Sequence, residues 1–182
     1  MIEVSKRLIN RDEYYKMAEV GILKPDDHVE LIHGEIIEMS PIGSRHAAVV
    51  DRLIELFQSI NNGRFQIRSQ SPIDLGPLSE PEPDIGILKK APDHYANAHP
   101  TAKDVLLVVE VSDTTLRFDK ETKQNVYASS GIAEYWLVDL KSNALVVHRN
   151  PHNNLYRDIA TLSVHETIDF LDDRVEVKNI LI

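Results

Sequence analysis

The amino-acid sequence predicts an α/β (α+β) fold in which a mixed β-sheet is flanked by α-helices. Three observations carry this expectation. "DVLLVVEVS" at 104–112 is a continuous β-branched and leucine run, the pattern of a central strand buried on both faces. "SRHAAVVDRLIELFQSINNG" at 44–63 spaces its apolar residues at helical intervals. The order of elements is helix, hairpin, helix, strands, helix, strands, which places helices against a sheet.

From the N-terminus, Asp12 precedes a helix-compatible stretch that Gly21 terminates, so a short first helix is expected. "VELIHGEIIEMSP" holds two apolar-rich runs around Gly34 and ends at Pro41, which suits a tight hairpin. The amphipathic helix follows, with Ser44 as its expected N-cap and Asn61, Asn62 and Gly63 as its end. "RFQIRSQSPIDLG" and "PEPDIGILKK" read as strands, the second starting after two prolines that bar helix. Residues 89–103 form a loop, the buried strand at 104–112 comes next, and a helix from about Leu116 to Ser130 stops at Gly131. "AEYWLVDL", "ALVVHRN" and "LYRDIATLS" supply three more strands, and "VEVKNILI" is short and ambiguous.

A chain of 182 residues without an internal repeat or linker is expected to be one domain over 1–182. The absence of cysteine excludes disulfides, thiolate metal sites and cysteine nucleophiles, so any metal must take oxygen or imidazole ligands. No stretch has the length of a membrane span and the first twenty residues lack the apolar core of a signal peptide, so no membrane partner and a cytoplasmic location are expected. The net charge of -9 argues against general charge-driven binding of nucleic acid, yet leaves room for one locally basic, metal-loaded cleft.

The chemistry concentrates in two acidic strands and the helix after them. Asp84 opens one strand and Glu110 lies near the end of the most apolar one. If these strands are neighbours, their carboxylates share a rim of the sheet about 4.8 Å apart in the strand-to-strand direction. Two such groups repel unless one is protonated or a cation lies between them. Mg²⁺, with Mn²⁺ as substitute, is the natural cation, and the carbonyl of Val111 offers a further oxygen. Asp119, Lys123 and Tyr127 recur every four residues and so form one helical stripe. Taken alone, Asp119 and Lys123 have the spacing of an ordinary surface ion pair. A carboxylate after Val-Leu-Leu-Val-Val is harder to dismiss, because its burial costs free energy unless it is paired or metal-bound. His46, at the start of the long helix's apolar stripe, and Glu35, after the Gly34 turn, take no role from spacing alone. Phosphate-cradling loops, nucleophile elbows and HExxH are absent.

"HVELIHGEIIEMSP", "SRHAAVVDRLIELF", "PEPDIGIL" and "VLLVVEVSDTTLRFDKETKQNVYASSGIAEYWLVDL", in this order, resemble the Uma-two family of putative restriction endonucleases, in the PD-(D/E)XK nuclease superfamily. The resemblance implies a restriction-endonuclease-like mixed β-sheet flanked by α-helices, with an acidic metal site formed by Asp84 and Glu110. The superfamily's usual lysine, two residues beyond the glutamate, is replaced by Ser112. The resemblance implies instead a lysine from the next helix, Lys123, with Lys120 as second choice, and it brings Glu35 and His46 to the site. It further implies an Mg²⁺-dependent endonuclease acting on DNA. A homodimer suits the cutting of two strands, and "ALVVHRN" is the candidate edge strand for pairing with a second copy. The alternative is a binding or assembly module that keeps the nuclease fold without catalysis.

Overall fold

The computed structural model describes residues 5–182 apart from Pro25 and Thr114; residues 1–4, where part of the search for a leader falls, lie outside it. Helix α1 (Arg11–Glu19) begins at Asn10, not at Asp12. Asn10 Oδ1 accepts the Glu13 N–H at 2.9 Å and Glu13 Oε2 accepts the Asn10 N–H at 3.0 Å, a reciprocal cap that leaves Asp12 inside the first turn. Strands β1 (Val29–Ile32) and β2 (Glu35–Glu38) form the expected antiparallel hairpin. Gly34 sits at the turn with φ +76°, where a Cβ would lie 2.7 Å from that of Leu8, so both conformation and space require glycine.

Helix α2 (Ser44–Asn61) is capped by Gly43 with no side-chain bond, and the chain turns out of it at Asn62, whose φ is 44°. The expected Ser44 cap is therefore the first helical residue. Val49, Val50, Leu53 and Phe57 are its buried stripe, and each such side chain removed from water stabilises by roughly 1.5–3 kcal/mol.

Six strands make the main sheet in the order β3 (Gln66–Ser69), β4 (Ile85–Leu88), β5 (Val105–Ser112), β6 (Glu134–Asp139), β7 (Ala144–His152), β8 (Leu155–Leu162). Only β5 and β6 are parallel, and the crossover between them is the helical segment that the sequence predicts. That segment is α3 (Leu116–Phe118), a π-helical turn over Asp119–Lys123, and α4 (Gln124–Ser129). Strands β9 (Thr167–Phe170) and β10 (Asp173–Glu176) form a second separate hairpin that the ambiguous C-terminal sequence did not announce. "ALVVHRN" is likewise not at an edge: β7 lies between β6 and β8, and β8 is the edge strand.

Alternation along β5 divides the core in two. Leu107, Val109 and Val111 join α2, Trp136 and Phe170 on one face, while Val108 joins Tyr127, Ala128, Tyr135 and Leu137 on the other. Phe57 anchors the first cluster, its ring centroid 5.6 Å from that of Phe170 and 5.9 Å from that of Trp136. Glu110 shares the second face. Among the described residues no helix is long and apolar enough to cross a membrane.

Candidate active site

The register of the sheet brings the two predicted carboxylates together. Ile85 pairs with Val109, so one step beyond this pair Asp84 stands opposite Glu110. Asp84 Oδ2 accepts the Val111 N–H at 2.8 Å, which locks the aspartate to the end of β5. From the α2 side, His46 Nε2 lies 3.0 Å from the same Oδ2. Because that oxygen already serves as acceptor for the Val111 N–H, Nε2 is taken as the donor to it. His46 Nδ1 is buried and has no partner among the described residues. The hydrogen bond that the ring donates to Asp84 raises the imidazole pKa above its ordinary value; burial opposes this, and the charges of Asp84 and Asp119 add to it.

From the opposite face comes Lys123, the last residue of the π-helical turn. Its Nζ lies 3.0 Å from Glu110 Oε1 and 3.1 Å from Glu30 Oε1. Tyr127, one turn further along, donates to Glu110 Oε1 at 2.6 Å. Glu30, on β1, is 2% exposed, Glu110 4% and Lys123 6%, so two carboxylates and one ammonium share a site nearly closed to water. The second oxygen of Glu30 accepts the Glu82 N–H at 3.1 Å. Asp119 is also buried and accepts from Thr115 Oγ1 at 2.6 Å.

This excess of negative charge explains the protonation of the group. Burial pushes the Glu110 carboxyl up to about 8; the Lys123 charge resists, and Asp84, Asp119 and Glu30 add to the rise. Burial pulls the Lys123 ammonium down, but Glu110, Glu30 and Asp119 outweigh it and leave its pKa raised. The two directions have one cause. Three carboxylates surround one ammonium, so the ammonium holds its proton more tightly and the Glu110 carboxyl does the same.

A cation could take that proton's place. Among the described residues Glu110 Oε2 and Asp84 Oδ1 accept no protein hydrogen bond, while their sister oxygens are held by Lys123, Tyr127, Val111 and His46. Two oriented carboxylates, each with one oxygen left over, fit a hard divalent ion that keeps water or substrate oxygens in its shell. No group of three Asp, Glu or His side chains among the described residues forms a ready-made cage.

Of the residues singled out by sequence, Asp84, Glu110, Lys123, His46 and the backbone of Val111 thus converge. Glu35 does not: it is exposed and pairs with Lys6 at 2.7 Å. Lys120 turns instead to Asp139, 3.9 Å away. Ser112, where a superfamily lysine would stand, is fully buried with its hydroxyl 3.4 Å from Thr115 Oγ1. Glu30 was missed, although "VELI" carried the signal that identified Glu110, a carboxylate enclosed by apolar strand residues.

The comparisons with known proteins give the fold and the family. A solved structure described as a putative nuclease belonging to DUF820, from Anabaena variabilis ATCC 29413, superposes with a TM-score of 0.75 at 16% identity, covering 94% of this chain and 97% of that one. The type IIG restriction endonuclease BpuSI aligns with a TM-score of 0.38 at 18% identity, over 74% of this chain and 14% of that one, too weak a likeness to argue from. No curated protein matches. The Uma2 family, described as "Putative restriction endonuclease", matches residues 11–173. With nearly its whole length matched and a mixed sheet flanked by helices in the fold of that solved relative, the chain belongs to the Uma2 family.

Proposed function

We propose that this protein is a metal-dependent endonuclease that hydrolyses DNA phosphodiester bonds. The observation that carries this is the meeting of Asp84 and Glu110 across β4 and β5, with Lys123 delivered to Glu110 from the following π-helical turn. Asp84 and Glu110 would hold Mg²⁺, or Mn²⁺ in its place. Val111 would add its carbonyl, since a strand residue's C=O leaves on the same side as its N–H, and the Val111 N–H faces Asp84. When bound, the ion supplies Lewis acidity towards a phosphoryl oxygen and acidifies water.

The chain's own groups do the rest. Lys123 offers a fixed positive charge where the phosphate gains negative charge in the transition state. Glu110 and Tyr127 orient it: the tyrosine donates to the same oxygen as the ammonium and so holds in place the carboxylate that holds Lys123. Asp84 holds the His46 ring through Nε2 and leaves Nδ1 as the nitrogen free to exchange a proton. Glu35, exposed and paired with Lys6, has no part in this scheme.

The test is supercoiled plasmid DNA incubated with the protein and Mg²⁺ or Mn²⁺, beside Glu110→Gln and Asp84→Asn. Nicking or linearisation that needs the metal and disappears in both variants is expected, together with loss of Mn²⁺ binding by calorimetry. Cleavage unchanged in Glu110→Gln would remove the proposal. A wild type that neither binds Mn²⁺ nor cuts DNA would favour a binding module on the nuclease fold.

A further inference from the structure

The lysine of this site reaches Glu110 from a helical turn instead of from the strand that carries the glutamate, and its position must be secured by something other than β5. We infer that Glu30 is the positioning residue that fixes Lys123, holding the ammonium at the site when Glu110 commits its charge to a cation. This deepens the nuclease reading and rests on it.

Three observations support the inference. Lys123 Nζ lies almost midway between two carboxylates, 3.0 Å from Glu110 and 3.1 Å from Glu30, so Glu110 holds only part of it. Glu30 is itself anchored on both sides: Oε2 accepts the Glu82 N–H at 3.1 Å, and the neighbouring Leu31 carbonyl accepts the Glu80 N–H at 2.8 Å. The β1–β2 hairpin thereby joins the "EPEPD" segment that leads into Asp84. Finally, Lys123 closes a five-residue π-helical turn, in which bonds reach one residue further than in an α-helix. The wider turn adds a residue to the path from Asp119 to Tyr127 relative to α-helical phasing, and Lys123 is its last residue.

The physical need is specific. A cation beside Glu110 draws on the same carboxylate and repels the ammonium. With Glu110 as sole partner, Lys123 would be driven off as metal arrives. A second carboxylate, already satisfied on its other oxygen and outside the pair that faces the metal, keeps the ammonium placed. Glu30 is a positioning residue in this account and touches neither substrate nor metal.

The decisive measurement follows the lysine itself. With ¹⁵N-labelled protein in Mg²⁺, a held Lys123 ammonium exchanges slowly and gives a resolved ¹⁵Nζ–H signal, assigned by its loss in Lys123→Arg. Glu30→Met, which removes both charge and acceptor at similar size, is expected to abolish that signal, and Glu30→Gln, which keeps an acceptor oxygen, to retain it in weakened form. Mn²⁺ affinity measured by calorimetry should stay within about threefold of wild type, while single-turnover DNA cleavage falls about tenfold to a hundredfold. A Lys123 signal unchanged in Glu30→Met overturns the inference, as does a loss of Mn²⁺ affinity as large as that of Glu110→Gln, which would make Glu30 a ligand. If Glu30→Met does not fold, a Glu30→Gln signal as sharp as wild type overturns it equally. Should no DNA be cut by any form, the nuclease reading fails while the ammonium signal still decides the role of Glu30.

Discussion

Strands β5 and β7 contain nearly the same sequence with opposite consequences. Leu107-Val108-Val109 delivers Glu110, and Leu145-Val146-Val147 delivers His148; the two polar residues are 4% and 2% exposed. Each is a titratable group sealed inside the sheet, yet of the two Glu110 lies in a cluster of charges and His148 among aromatic rings. His148 packs its ring 4.9 Å from that of Tyr135 at an interplanar angle of 23° and donates through Nδ1 to the Tyr135 carbonyl at 3.2 Å. Burial lowers its pKa, so it is a neutral ring in an aromatic stack with Tyr135 and Tyr156. Glu110 instead faces an ammonium, a phenol and further carboxylates contributed by β1, β4 and the π-helical turn. Burial of a titratable group therefore does not make a site; convergence of charges from separate elements does.

The largest expected effect comes from removing the cation on which the Glu110 side of this contrast depends. Lys123→Met leaves Glu30 and Glu110 buried without their cation, held only by the Glu82 N–H and the Tyr127 hydroxyl, and breaking a buried pair from one side costs about 3–5 kcal/mol. Urea denaturation near neutral pH in EDTA should show this loss, and added Mg²⁺ should recover part of it by supplying another cation. A variant as stable as wild type in EDTA would mean that protons already neutralise the carboxylates, and that Lys123 is not what holds them together. Cleavage, where wild type shows it, should be lost as well.

The second prediction separates the two strands by the sign of their pH dependence. Glu110 has a pKa raised from 4.5 to about 8. Its contribution to stability is fully present below 4.5 and is lost as pH rises towards 8, because the folded protein must give up a proton that the unfolded chain released earlier. His148 runs the other way. With its pKa lowered from 6.5, its contribution is present above 6.5 and is lost as pH falls, since the unfolded chain then gains a charge that the folded ring refuses. Each proton difference changes stability by up to about 1.4 kcal/mol per pH unit. Metal-free stability of Glu110→Gln should thus decline less than wild type from about pH 5 to about pH 8, whereas His148→Phe should lose less on the acid side. Identical profiles for the two variants would erase the distinction drawn between the strands.

How far the sequence reveals this arrangement depends on the range of the interactions. The central strand, the long helix, the first hairpin and the run of strands after Gly131 were legible because period and turn chemistry are local. Asp84, Glu110 and Lys123 were legible partly by resemblance and partly because a carboxylate in an apolar run is conspicuous. Glu30 was not recognised, and the carboxylate of this hairpin expected to border the site was Glu35. The two lie on opposite strands of one hairpin, and which of them faces Lys123 depends on how that hairpin docks against residues 78–84, a contact that neither strand encodes. The cap at Asn10 went to the residue whose side chain could reach Glu13, two positions before the expected Asp12. The internal place of β7 was hidden for a related reason: the order of strands in a sheet is a tertiary choice, and β8, mostly exposed, reads locally as no more an edge than its neighbour.

The smallest expected effect sharpens the contrast within a single helical turn. Lys120 and Lys123 are three residues apart, and both were candidates for the site lysine. Lys120 is partly exposed and meets Asp139 at 3.9 Å. Asp139 does not depend on it, because Oδ1 accepts the Lys141 N–H at 3.0 Å and the Ser142 N–H at 3.1 Å. Loss of a solvent-screened partner at that distance should change stability by no more than about 0.5 kcal/mol in Lys120→Ala. The ratio of the Lys120→Ala to the Lys123→Met effect in one urea series is then the quantity to read. A ratio near one would place the two lysines in equivalent environments and dissolve the argument that the π-helical turn selects between them. A small ratio means that the two ammoniums, three residues apart, stand in unlike environments, Lys123 in the carboxylate cluster and Lys120 largely in water.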